Sequence, residues 1–114
     1  MTLQEIIDGL NLKLLTAPKN FSQIQPSGGY ASDLLSCVMA GAEHAGIWVT
    51  LQAHINIVAV AALLDLAAVI ITENALPDEA TIARANTENI TLLVTPMPTY
   101  VIVGKLWEMG LKEK

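Results

Sequence analysis

The hydrophobic pattern is most regular over residues 46–97. There the chain alternates apolar runs with polar turns: GIWVT, QAHINIVAVAALLDL, AAVIIT, ENALPDEATIARANTEN and ITLLVTPM. Strands covered on both faces are apolar at every position, and such strands are parallel ones joined by crossover helices. The passage predicts strands over 47–51, 68–72 and 90–94. Between them it predicts helices over 55–64 and from Pro77 to residues 86–89. Pro77 suits the first helical position, and Asp78 and Glu79 set carboxylates against the positive end of the helix dipole. Asn56 and Thr99 are residue types that cap helices.

The flanking segments are less regular. Thr2 with Glu5 three residues on forms a capping box, so a helix begins at once, with Ile6, Ile7 and Leu10 as its apolar stripe. Residues 12–15 are a short apolar run ended by Ala17-Pro18, an edge strand. Residues 20–29 are polar, carry Pro26 and Gly28-Gly29, and predict a loop. Ser32 or Asp33 is placed to cap a helix over 34–40. The last helix is expected over 100–109, with Gly110 as its C′ residue and a frayed polar KEK end. The expected architecture is one domain spanning 1–114, a three-layer α/β/α fold with a largely parallel sheet and helices on both faces.

Composition narrows the function classes. Apolar residues make up 53% of the 114-residue chain and charged ones 15%, so a buried subunit contact, a homodimer, is expected. Net charge is −5, and the six basic residues form no patch, which argues against nucleic acid. Residues 55–71 are the most membrane-like stretch. They contain Asp65, fall short of a span, and divide into an Ala-rich helix and a β-branched strand, so no membrane partner is expected. The one cysteine, Cys37, allows no intrachain disulfide and fits a reducing compartment, the cytoplasm. The first ten residues lack the pattern of a signal peptide.

Candidate chemistry is sparse. His44 and His54 stand apart, with no HxxxH, HExxH or CxxC, so no metal site is expected. Cys37 sits in LLSCVMA at helical spacing from Leu34 and is expected to be buried as a small hydrophobe. Ser36 has no nucleophile elbow, and no paired carboxylates or phosphate-binding glycine motif occur, so no catalytic residue is assigned and no cofactor is named. Gly28-Gly29 could offer N–H groups to an anion but more simply turns the chain. Trp48 and Trp107 are expected in the core or at a dimer contact.

What remains is the set of loops beyond the carboxyl ends of the strands, where parallel sheets hold their ligands. Thr50, Gln52 and His54 lie in the first, Thr72 and Asn74 in the second, and Thr95 in the third. Together they are the candidate ligand-binding residues. The competing explanation is that these side chains only cap helices and satisfy backbone groups.

The run GGYASDLLSCVMAGAEHAGIWVTLQAHINIVAVAALLDLAAVIITENALPDEATIARANTENITLLVTPMPTY resembles the DRTGG domain family. The match lies in VTLQAHINIVAVAAL, in VIIT followed by a proline-opened helix, and in LLVTPMPTY. The resemblance implies the fold of the amino-terminal domain of HPr kinase/phosphorylase and a regulatory or sensory role. Stand-alone members resemble accessory proteins, some encoded near iron-only hydrogenases and signalling kinases in anaerobic bacteria. The letters DRTGG are absent here. Gln52-Ala53-His54 stands where relatives carry an acidic–arginine pair, and Glu73-Asn74 where they carry glycines, so chemistry tied to those positions is not carried over. One cysteine cannot ligate an iron–sulfur cluster.

The expected function is a non-enzymatic regulatory module that binds a small ligand, a nucleotide or phosphorylated compound, or docks a partner protein. An anionic ligand group would be held by backbone N–H groups at the helix starts after Gln52 and Asn74. A purely structural dimerisation domain is the second class, and a small enzyme the third.

Overall fold

The computed structural model describes residues 1–112, so the last two residues of the KEK end lie outside the described residues. The strands are β1 (Lys13–Leu14), β2 (Gly29–Ala31), β3 (Ile47–Thr50), β4 (Ala68–Ile71) and β5 (Leu92–Val94). The α-helices are α1 (Leu3–Gly9), α2 (Leu35–Gly41), α3 (Asn56–Leu63), α4 (Glu79–Thr87) and α5 (Thr99–Met109). A 3-10 turn spans Phe21–Gln23.

One sheet holds all five strands in the order β1-β5-β4-β3-β2. β2, β3, β4 and β5 pair in parallel, and β1 closes the far edge antiparallel to β5. Each βαβ step from β2 to β5 moves to the next strand in the same direction. With right-handed crossovers, repeated steps place every crossover helix on one face. The alternation of side chains confirms it. Trp48, Val69, Ile71 and Leu92 enter a core with residues of α2, α3 and α4. Ile47, Val49, Ile70 and Leu93 enter a second core with α1 and α5. The three-layer α/β/α fold is thus formed, with three helices on one side and two on the other. All four residues of β3 and of β4 are buried, which is why their sequence shows no alternation.

Several local expectations are corrected. Gly28-Gly29 does not sit in a plain loop: Gly29 opens β2, whose residues pair with Ile47, Trp48 and Val49. Pro77 precedes the α4 cap instead of opening the helix, because Asp78 takes the cap and accepts from the Thr81 N–H at 2.8 Å. Neither Ser32 nor Asp33 caps α2, whose cap position is Leu34. Cys37 is exposed, because α2 turns only Val38 fully inward. Trp48 is fully buried with its indole N–H donating to the Ser32 carbonyl at 2.9 Å, whereas Trp107 is half exposed. The capping box of Thr2 and Glu5 forms, and Gly110 ends α5 at φ 107°.

Candidate functional site

β3, β4 and β5 all end at one edge of the sheet, with a threonine as the last residue of β3 and directly after β4 and β5. Thr50, Thr72 and Thr95 are buried, and their hydroxyls bond within the protein. The Thr50 hydroxyl donates to the Asp33 carboxylate at 2.8 Å and accepts from the Gln52 N–H at 3.0 Å. The same Asp33 oxygen accepts the Leu51 N–H at 2.8 Å, and the Gln52 side chain donates to the Asp33 carbonyl at 3.0 Å. Asp33, two residues past the end of β2, therefore stitches the β2 and β3 loops together.

The next pair of loops is joined as tightly. The Thr72 hydroxyl donates to the Thr50 carbonyl at 3.3 Å and also meets the Thr99 hydroxyl, which must then be the donor. Thr99 is the first residue of α5 and not its cap, which is Pro98. The α5 start is satisfied instead by Glu73, whose carboxylate accepts the Thr99 N–H at 2.8 Å. The Glu73 N–H donates to the Met97 carbonyl and the Asn74 N–H to the Thr95 carbonyl, at 2.9 and 3.2 Å. The Thr95 hydroxyl accepts the Met97 N–H at 3.2 Å. Both Glu73 and Asn74 hold positive φ to make these bonds.

α3 begins differently. Its Asn56 N–H donates to the His54 Nδ1 at 3.1 Å, so the imidazole does the capping expected of Asn56. His54 and Asn74 are exposed and Gln52 is partly so, in front of the buried threonine row. The six candidates thus divide into an inner row of hydroxyls occupied by the protein and an outer group of Gln52, His54 and Asn74 facing solvent.

Charge distinguishes the helix starts. An anion already sits at two of them: Glu73 at α5 and Asp78 at α4. The Asp78 carboxyl is held below the usual carboxylate range, first by its side-chain hydrogen bond with Thr81 and then by the Thr81 backbone N–H; burial opposes this, and the field of His54 adds a smaller lowering. α3 has no acidic residue in its first turn and no side-chain bond from its cap residue. His44 lies at the opposite end of β3 from His54, in an exposed 3.3 Å pair with Asp65. No group of three or more His, Cys, Asp or Glu able to hold a metal occurs among the described residues. Among them, too, no helix is long and apolar enough to cross a membrane.

Sequence patterns located the threonines but missed Asp33 and Thr99 as the groups that bond Thr50 and Thr72, and Glu73 as the group that closes the start of α5. The available signal was an acid immediately after a buried strand, as in VIIT-Glu73, where no helix could yet use it.

Fold and site together define a small α/β module with buried threonines and polar loops gathered at one end of its parallel strands. One solved structure with this fold comes from the regulatory region of a Clostridium perfringens pyrophosphatase, comprising CBS and DRTGG domains crystallised with the activator diadenosine tetraphosphate. The two chains share 18% identity at a TM-score of 0.73, over 90% of this chain and 44% of that one, so this chain spans less than half of the neighbour's length. No protein-family model matches the chain, and no curated protein sequence matches it.

Proposed function

We propose that this protein is a non-enzymatic regulatory module that binds a small anionic ligand, of the nucleotide or phosphorylated class, at the start of α3. The observation that carries the reading is the contrast among helix starts at the carboxyl edge. α4 and α5 carry their own carboxylates, whereas α3 opens beside Gln52 and His54 with no acid in its first turn. The first N–H groups of α3 are bonded within the protein, by Asn56 to His54 Nδ1 and by Ile57 to the His54 carbonyl, so an anion there gains the helix dipole and the solvent-facing Gln52 and His54 side chains. The threonine row behind them supplies a rigid floor. The fold is shared with a regulatory region crystallised with a dinucleoside polyphosphate, which motivates the choice of ligand class. Asn74 and Thr95 border a separate cleft of about 240 Å³ with Lys13, Leu76 and Pro96, which receives a second part of a larger ligand.

The test is a thermal-shift and calorimetric series with diadenosine tetraphosphate, ATP, ADP and inorganic phosphate. A ligand at about a hundred times its dissociation constant adds close to 2.7 kcal/mol, a rise of several degrees or more. Gln52→Ala and His54→Ala should abolish the rise, read against each variant's own unliganded melting temperature, because each also removes a bond that holds the loop or caps α3. A rise that survives both substitutions places the ligand elsewhere. A flat series with a folded protein removes the anion-binding reading.

A second reading, a structural homodimer, is favoured by α5. Its outer surface exposes Tyr100 at 90% and Trp107 at 56%, beside Val103. Sedimentation equilibrium should then show a dimer that Tyr100→Lys dissociates. An accessory role beside hydrogenase or signalling-kinase systems, in a bacterial cytoplasm, belongs to the same proposal and rests on the family resemblance.

A further inference from the structure

The open edge of the sheet has a feature that neither the strand-end loops nor the dimer reading uses. β2 pairs on one side only, with β3. The Ile47 N–H donates to the Gly28 carbonyl at 2.8 Å and the Ser32 N–H to the Val49 carbonyl at 3.2 Å. Backbone groups alternate sides along a strand, so the N–H and C=O groups of Gly29 and Ala31 point away from β3. These are main-chain donors and acceptors in the ladder direction with no strand beside them.

Gly29 and Ala31 share the face of Ile47 and Val49, beneath α5. Their small side chains leave a cleft of about 340 Å³ between the strand and the last turns of α5. A Cβ on Gly29 would already lie 3.5 Å from Leu111, so this wall is close but not filled. Val103, Trp107 and Leu111 supply the apolar side of the cleft, and Lys112 is the one charged residue lining it. The Lys112 ammonium sits 5.3 Å from the centre of the Trp107 ring. The segment from Ser27 to Ser32 carries no charge of either sign, so nothing on the strand repels an added backbone.

We propose that the β2 edge is a docking site for an extended peptide of a partner protein, which adds a sixth strand beside β2. The partner's residues opposite Gly29 and Ala31 then point into the cleft beneath α5 and are apolar. The residue between them lies opposite Tyr30 on the other face. The partner carries an acidic group just beyond the Gly29 end, where Lys112 meets it. A peptide fits the conjunction of unpaired ladder groups with a pocket on the matching face: main-chain bonds supply affinity, alternate side chains supply selectivity. The sign of the charge comes from Lys112. A second copy of this chain fits less well, because its own β2 would bring only Gly29 and Ala31 to the cleft and leave it empty.

The experiment uses the full chain labelled with nitrogen-15 and synthetic octapeptides alternating valine and threonine. Two peptides carry a pair of aspartates, one at each end; two counterparts carry lysines; one acidic peptide has a central proline. The expected result is that an acidic peptide shifts the Gly29 and Ala31 amide signals. The lysine and proline versions should bind about tenfold more weakly or worse. Trp107→Ala, a half-exposed position whose loss leaves the sheet intact, should abolish binding. Lys112→Glu should reverse the preference between acidic and basic peptides. The proposal is overturned if no peptide binds at millimolar concentration, or if binding leaves Gly29 and Ala31 unshifted. It is equally overturned if acidic and basic peptides bind alike. A dimer by sedimentation, with those two amides protected from exchange when no peptide is present, would assign the edge to a second copy. Displacement of a bound peptide by diadenosine tetraphosphate would show that one small-molecule site explains both signals and would also overturn it.

Discussion

Glu73 and Asn74 hold consecutive left-handed backbone conformations, with φ of 62° and 60°. Such positions cost side-chain-bearing residues of the order of 1 kcal/mol, least for Asn. The turn they make delivers the Glu73 carboxylate to the N–H of Thr99, closing the start of α5. Glu73→Ala keeps the backbone cost and loses the cap, so urea unfolding should show a loss of about 0.5–2 kcal/mol. Asn74→Gly relieves the left-handed strain but loosens the unfolded chain, and should change stability by only a few tenths. A larger loss in Asn74→Gly than in Glu73→Ala would mean that the Asn74 side chain, and not the cap, holds the loop. Asp33 and Thr50 form the second residue-level device. Asp33→Ala takes away the acceptor of a buried hydroxyl, which costs about 1–3 kcal/mol. In the Thr50→Val background that hydroxyl is gone, so the same substitution should cost less. A double-mutant cycle should show coupling of at least about 0.5 kcal/mol. Strict additivity would mean that the Asp33–Thr50 bond contributes nothing. The positions of Thr50, Thr72 and Thr95 were legible because apolar runs end there. The partners of Thr50 and Thr72 were not, because Asp33 and Thr99 reach them across loops from neighbouring strands, and sequence spacing carries no sign of lateral contact.

At the level of elements, legibility followed burial. β3, β4 and β5 could be placed because both of their faces are covered and their composition says so. β2 could not. It is a three-residue edge strand of Gly, Tyr and Ala, one face under small residues and the other under the Tyr30 ring, and its existence depends on β3 beside it. The phase of α2 was hidden for the opposite reason: LLSCVMA is apolar all round, so periodicity could not say that Val38 faces in while Met39 and Cys37 face out. With one fully buried residue and no side-chain cap, α2 should be the first helix to open. Hydrogen exchange should rank its amides below those of α3, and equal protection in the two helices would contradict this account. The helix starts also carry a pH dependence. Glu5 titrates below its ordinary value first because it accepts the Thr2 N–H, and Asp78 because it accepts from Thr81. A carboxyl depressed in the folded state stabilises it above the unfolded pKa, near 4, and that stability is lost as the pH falls through the lower folded value. Stability should therefore drop below about pH 4. Asp78→Ser, which keeps an acceptor at the cap but does not titrate, should flatten that drop. An unchanged acid slope would assign the pH dependence to other carboxylates.

The molecule as a whole is organised by a sheet that separates two cores. Neighbouring residues of β4 belong to different cores: Ile70 packs among α1 and α5, Ile71 among α2, α3 and α4. The division follows from the single direction of winding, which puts every crossover helix on one side and leaves the other to the two terminal helices. The apolar fraction of 53%, which suggested an interface, is used in large part by these two cores. Large apolar side chains left exposed include Tyr100, Val103 and Trp107 on α5, and also Leu34, Leu63 and Leu76 elsewhere; of these, Val103 and Trp107 line the cleft at the open β2 edge. Two separated cores make a measurable claim. Ile70→Val and Ile71→Val each remove one buried methylene and should each cost about 0.5–1.5 kcal/mol. Residues this close in sequence ordinarily couple, because they share packing partners. Here their side chains share none, so the double variant should equal the sum of the singles within about 0.5 kcal/mol. A coupling well above that would mean that strain passes through the β4 backbone and that the two cores respond as one. A ligand at α3 would then also be felt under α5 and at the β2 edge, whereas additivity confines its effect to the face where it binds.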